Sequence, residues 1–330
     1  MTNLKDKNGN PIELKQPAFL VGNGINLADD MSLSWSNLLI GILPKKIRNE
    51  IQQAGKQKTL EQCLQGLTYP EIAELADLHY KKNANNNKAK TPSIKRQICD
   101  SLDNRRNKTH KDFIDFCIKN NIPVLTTNFD HRLISNLKIK KKDGIEMPFW
   151  FLTKEEKINK HLIPYQHPFR AYFAEKEFND DDDINNKFAV WHVHGTKKYI
   201  NSICINNVDY ARNIAEIDKL IRNKEPIGEN WVERHSWIDI FMRNDLVILG
   251  FALDSAETDI RWLLRERYIY LQYKNKNKPV STQTIYIYNQ DKEAIEMPFG
   301  KKAFFDAFDI KCVPMKQNDI FKLEYLSGKK

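Results

Sequence analysis

Paired cysteines and long apolar runs are both scarce in this 330-residue chain. Its five cysteines, Cys63, Cys99, Cys117, Cys204 and Cys312, are odd in number and widely separated. None has Cys-x-x-Cys spacing, which argues against a disulfide framework and a zinc ribbon. They are expected as reduced thiols, several of them in the core. No apolar stretch approaches the roughly 20 residues that cross a bilayer. Met1 to Asn10 is polar and charged, without the apolar centre of a signal peptide. A cytoplasmic protein with no membrane contact is the expectation.

What is present is the composition of an ordinary globular protein, 41% apolar and 29% charged. Lys and Arg number 52 against 43 Asp and Glu, a net charge of +9. Such an excess favours anionic ligands such as nucleotides, or an acidic partner. It is dispersed, however. The densest basic run, Lys138–Lys142, shares its inter-strand interval with acidic Asp180–Asp183, and both read as solvated loops. Direct nucleic-acid binding is therefore not indicated.

Short, nearly continuous apolar runs recur at Ala18–Gly22, Ile122–Thr126, Phe188–Val193, Asp245–Gly250, Thr284–Tyr288 and Ile310–Pro314. Runs of this kind, each ending in a polar or glycine-containing turn, suit strands buried on both faces of a parallel sheet. Segments with helical spacing lie between them: Trp35–Leu43 after Ser32 and Ser34, Tyr69–Tyr80, His110–Asn120 and Asp254–Tyr270. The alternation predicts an α/β fold, Rossmann-like and doubly wound, with a mainly parallel six-stranded sheet and helical insertions. One domain is expected over 1–330. It carries a helical cap at about 44–110, interrupted by a Lys/Asn-rich loop at Lys81–Lys90, and a second insertion at about 135–187.

Chemistry-bearing residues gather where these strands end, the edge at which open parallel sheets bind ligands. Val21-Gly22-Asn23-Gly24-Ile25-Asn26 follows the first strand, and its glycines would let backbone amides approach a pyrophosphate at a helix N-terminus. The third glycine of a dinucleotide fingerprint is missing, and a plain tight turn is the alternative. Thr126-Thr127-Asn128-Phe129-Asp130 ends the second strand; Asn128 and Asp130 face a ligand there or, for Asn128, cap a helix. Trp191-His192-Val193-His194-Gly195 ends the third. Alternation puts His192 and His194 on one side, with His194 either a general base or a structural histidine. No Cys pair or second His motif completes a metal site around them, and no metal is expected. Leu249-Gly250-Phe251-Ala252-Leu253-Asp254 and Tyr288-Asn289 end the next two strands.

The ordered set GNGIN, TTNFD, HVHG and GFALD resembles the signatures of the sirtuin superfamily over Val21 to Asn289. Three features of deacylating sirtuins are absent: the four-cysteine ribbon, the Pro-Asp-Phe-Arg loop and the segment that seats an acyl-lysine. Ser34-Trp35-Ser36-Asn37-Leu38-Leu39 stands where that loop would be. The chain is thus most similar to bacterial sirtuin-like NAD hydrolases of anti-phage defence. The resemblance implies cleavage of the nicotinamide–ribose bond of NAD, with NAD as substrate and water as acceptor. It gives His194 the role of base, has Asn128 orient the ribose or the water, and sets Asp130 against the nicotinamide amide. Gly22, Asn23, Gly24 and Asn26 would hold the pyrophosphate, while Gly250, Phe251 and Asn289 would border the adenosine half. Asp254 either joins them or caps the following helix.

Regulation is implied as well, through a homo-oligomer and a regulatory protein partner, such as an ATPase or nucleotide-processing protein encoded nearby. A non-catalytic NAD or ADP-ribose sensor is the competing class. Protein deacylation or ADP-ribosyl transfer and a Rossmann dehydrogenase are weaker alternatives.

Overall fold

The computed structural model describes residues 10–28, 30–55, 66–86, 93–103, 105–135, 188–198, 200–222, 237–274, 282–289, 297–316 and 319–321, with Leu4 and the short stretches 141–142, 145–146 and 171–172. Its centre is a sheet of six parallel strands: β1 Pro17–Val21, β2 Val124–Thr126, β6 Val190–His192, β7 Asp245–Leu249, β8 Thr284–Asn289 and β9 Ile310–Met315. Two-residue strands intervene in the chain, β3 Lys141–Lys142 and β4 Ile145–Glu146 as a separate ladder, and β5 Ala171–Tyr172 antiparallel to β6 at the sheet edge. The spatial order is β5-β6-β2-β1-β7-β8-β9. Taken over the six parallel strands, the chain winds outward from β1 through β2 to β6, then returns to β7 and winds the other way. That reversal beside β1 is the switch point of a doubly wound Rossmann-like fold.

All six expected strands are present because their apolar runs have nowhere else to go. Every residue of β2, β6 and β7 is buried. One face packs Leu20, Leu125, Trp191 and Ile248 under Trp237, Phe241 and Leu263. The other packs Phe19, Val124 and Val247 under Phe113, Cys117 and Phe321. The strands run shorter than their apolar runs at some ends. Ile122 and Pro123 precede β2 because Asn121 turns the chain with φ 52°.

Helices follow in chain order: α1 Gly24–Leu27, α2 Trp35–Ile42, α3 Lys45–Gly55, α4 Tyr69–Asn86, α5 Ile94–Ser101, α6 Lys108–Lys119, α7 Asn207–Arg222, α8 Trp237–Arg243, α9 Thr258–Ile269 and α10 Phe299–Ala307. Their caps are local: Ser34 accepts from Asn37 N, Asn107 accepts from His110 N, and Thr68 and Glu71 bond reciprocally. The expected loop at Lys81–Lys90 does not begin at Lys81. Helix α4 continues to Asn86, with the Lys81–Asp77 pair at one-turn spacing supporting the extension; 87–90 lie outside the described residues. Asp254 does not cap α9, which starts at Thr258; its carboxylate accepts from Ala256 N in the preceding turn.

Helices α4 and α5 of the expected cap share a third apolar cluster with α2, which precedes the expected cap: Leu39, Ile72, Ala76 and Ile98, with Phe129 and Ile203 from the sheet edge. The cap therefore rests on the loop that carries Asn128. Apart from β3, β4 and β5, the expected second insertion lies outside the described residues.

At the amino end of the sheet the polar groups serve the fold. The Arg267 guanidinium is fully buried and donates to Thr284 Oγ1 and to the carbonyls of Phe241, Asn244 and Gln283. Burial pulls its pKa down to about 9, against the attraction of Asp245. Asp245 accepts from the backbone of Lys15, Gln16 and Gln283, which ties that end together.

Candidate functional site

The carboxyl ends of β1, β2 and β6 carry two buried polar clusters. The first is built on Asn26, whose Nδ2 donates to Asn23 Oδ1 at 2.8 Å and to Asp130 Oδ2 at 2.9 Å. Those two donations fix the carboxamide, so its Oδ1 faces His110 Nε2 at 2.8 Å, while His110 Nδ1 faces Asn107 Oδ1. Asp130 Oδ1 accepts from Arg132 N. Asn23 Nδ2 is held by the carbonyl of Leu33. Burial pulls His110 down to about 4, and the carboxylate of Asp130 only partly opposes it.

Asn128 stands beside this network, only 2% exposed. Its Nδ2 donates to Gly22 O at 3.2 Å, while its Oδ1 is enclosed and has no hydrogen-bond partner among the described residues. A buried amide oxygen left unpaired costs about 1–3 kcal/mol, so the position is poised for a donor from outside. Asn128, Asn23, Asn26, Asp130 and Arg132 line a cavity of about 180 Å³, closed on its apolar side by Trp35, Leu38 and Phe129. Trp35 meets Phe129 edge-on at 5.2 Å, so the first turn of α2 supplies one wall.

The second cluster surrounds His194. Strand β6 ends at His192, so the alternation expected for His192 and His194 stops before the second of them. The two imidazoles meet different partners. His192 Nδ1 faces the Asn128 carbonyl at 2.8 Å and its ring packs against His131. His194 Nε2 lies 3.0 Å from Asp259 Oδ2 and 3.2 Å from Oδ1, with the Tyr210 ring 5.5 Å away. Asn213 Nδ2 donates to the same carboxylate at 2.6 Å. The turn that releases His194 needs Gly195, at φ 87°, because a Cβ there would fall 2.0 Å from Ser202 O.

Electrostatics differ accordingly. Burial acts to lower the pKa of His194, but Asp259, with a smaller contribution from Glu257, more than reverses it and holds it above the ordinary value. Burial pushes Glu257 up to about 7, with His194 opposing and Asp259 reinforcing. Glu257 Oε2 is enclosed without a hydrogen-bond partner among the described residues. One donor atom each from His194, Glu257 and Asp259 falls within 4.8 Å of the others. The imidazole and Asp259 hydrogen-bond one another within this cluster.

Asn23, Asn26, Asn128 and Asp130, singled out from the sequence, thus meet at one cavity. His194 does not line it; its ring faces α7 and the start of α9. Gly22 and Gly24 meet the backbone of the β7 loop: Gly24 N donates to Gly250 O at 2.6 Å, and a Cβ on Gly24 would lie 2.5 Å from Gly250 Cα. Phe251 is a core side chain, and Asn289 closes β8 opposite Met315, three strands from β2. Helix α1 has only four residues, so little helix dipole stands behind the glycine loop. Sequence reasoning missed Asp259, Asn213, Glu257, Tyr210 and His110. Asp259, Asn213 and His110 show in the sequence only as polar residues within helical segments, and Glu257, which precedes α9, lacks even that signal.

No known protein family matches the chain, and no curated protein matches it. Among the described residues no helix is long and apolar enough to cross a membrane.

Proposed function

We propose that this chain is a sirtuin-like NAD glycohydrolase, cleaving the nicotinamide–ribose bond to give nicotinamide and ADP-ribose. The observation that carries the proposal is the unpartnered, buried Oδ1 of Asn128 on a cavity also lined by Asn26 and Asp130. A carboxamide cannot serve as a base, but it can hold a ribose hydroxyl or a water in line. In the proposed reaction the C1′–N1 bond breaks and its electron pair leaves with nicotinamide, which departs neutral. Water supplies the hydroxyl group that bonds to C1′, and its remaining proton passes to the base. Asp130 places negative charge near the developing ribosyl cation. His194 is the base of this scheme. Because its ring faces α7 and α9, it would have to meet the water from the side of the ribose away from the cavity.

The anti-phage resemblance adds a regulated, cytoplasmic effector that depletes NAD, working as a homo-oligomer under the control of a protein partner. A second reading has one observation in its favour. Since His194 does not line the cavity, the same pocket could hold NAD or ADP-ribose without turnover, as a sensor. Release of nicotinamide from NAD, resolved by chromatography, separates the two. Asn128→Ala is expected to lower that release about 100- to 10,000-fold with unchanged thermal unfolding. Wild-type turnover by Asn128→Ala would remove Asn128 from the mechanism, and NAD binding by the wild-type chain without any nicotinamide release would end the hydrolase proposal in favour of the sensor.

A further inference from the structure

The geometry points to Asp259 as a positioning residue for His194, held in turn by Asn213, that keeps the imidazole proton on Nε2 and leaves Nδ1 as the nitrogen that takes up a proton. The link to turnover rests on the hydrolase reading above; the tautomer and orientation do not. Three observations support it. The carboxylate is 1% exposed and the imidazole 3% exposed, so neither can exchange its partner for water. Asp259 accepts from Asn213 Nδ2 and from Ile260 N as well as from His194, which sets its plane before the imidazole arrives. Of the two ring nitrogens it is Nε2 that Asp259 engages, at 3.0 Å.

A neutral imidazole carries one proton, and a buried carboxylate accepts only. The Nε2 contact is therefore an N–H donation whenever His194 is neutral, and the lone pair falls on Nδ1. The titratable groups facing this imidazole are Asp259 and Glu257, from the segment that opens α9, and Tyr210 from α7. Cys204 lies beside the same two carboxylates, and its backbone N–H donates to His194 O. Among the described residues no lysine or arginine pairs with Asp259, so His194 is its charge partner. The couple joins residues 65 positions apart, and it ties the end of β6 to the first turn of α9.

The experiment is a histidine NMR titration of the full chain, compared with Asp259→Asn and Asn213→Ala, alongside the pH profile of nicotinamide release. In wild type, His194 is expected to titrate above 6.5 with the Nε2-protonated tautomer. In Asp259→Asn, burial acts unopposed by that carboxylate, so the titration moves down. The acidic limb of kcat moves down with it, and kcat falls about 100- to 10,000-fold with little change in KM. Asn213→Ala, at a half-buried helical position, is expected to give a smaller shift of the same sign and serves if Asp259→Asn does not fold. Unchanged His194 titration and tautomer in both folded variants would overturn the inference. Should wild type release no nicotinamide at all, the titration still decides the role of Asp259, and the hydrolase proposal falls alone.

Discussion

His192 and His194 stand two residues apart, both shut away from solvent, yet their proton affinities are driven in opposite directions. Burial takes His192 down to about 4, against the carbonyl of Asn128. Burial acts on His194 as well, but Asp259 reverses it. A carbonyl dipole cannot offset the desolvation of an imidazolium, while a full carboxylate at hydrogen-bond distance can. His110 repeats the lesson on the cavity side: it meets the amide oxygen of Asn26, and the charge of Asp130 only partly offsets its burial. The carboxyl edge of the sheet thus holds one imidazole suited to carrying a proton beside others that are structural and uncharged.

The contrast can be broken most strongly at Asp259. Asp259→Ala removes the hydrogen-bonded charge partner of a buried imidazole and is expected to destabilise the protein by about 3–5 kcal/mol in denaturant unfolding; a change below about 1 kcal/mol would show that the pair is not shielded. On the amide side, Asn26→Leu leaves Asp130, Asn23 and His110 each short of a partner. A loss of about 2–3 kcal/mol is expected from that cluster, with the sheet retained by circular dichroism.

The mildest test uses pH. His110, His131 and His192, all depressed to about 4, bind fewer protons folded than unfolded between about pH 4 and 6.5. Their contribution is full above the unfolded value and is lost as pH falls. His194, raised, does the reverse: its contribution is full below about 6.5 and is lost as pH rises through its folded pKa. Replacing His192 by Gln should flatten the acid limb of stability by up to about 1.4 kcal/mol per pH unit. The same slope in wild type and variant, measured by urea midpoints from pH 4.5 to 7, would show that His192 is not buried as a neutral base.

Much of this architecture is legible in the chain because burial on both faces leaves unbroken apolar runs, and those runs are the six parallel strands. The grouping of Asn26, Asn128 and Asp130 is legible for a related reason: parallel strands deliver all their carboxyl ends to one edge. What is not legible depends on side-chain direction. His194 leaves the strand at a glycine turn, so strand alternation no longer governs where it points. Its partner Asp259 sits on the first turn of a helix whose pattern otherwise advertises only Ile260, Leu263 and Leu264 as core. The far reach of α4 is hidden in the same way, since Lys and Asn at its end look like loop but bring nothing that stops a helix.

The contact of Gly24 with Gly250 has a consequence for traffic across this edge. At the place where the winding reverses, main chain rests on main chain, so that gate is bolted from within. The described cavity lies instead on the flank beneath Trp35 and Leu38, so a visiting molecule meets this edge there.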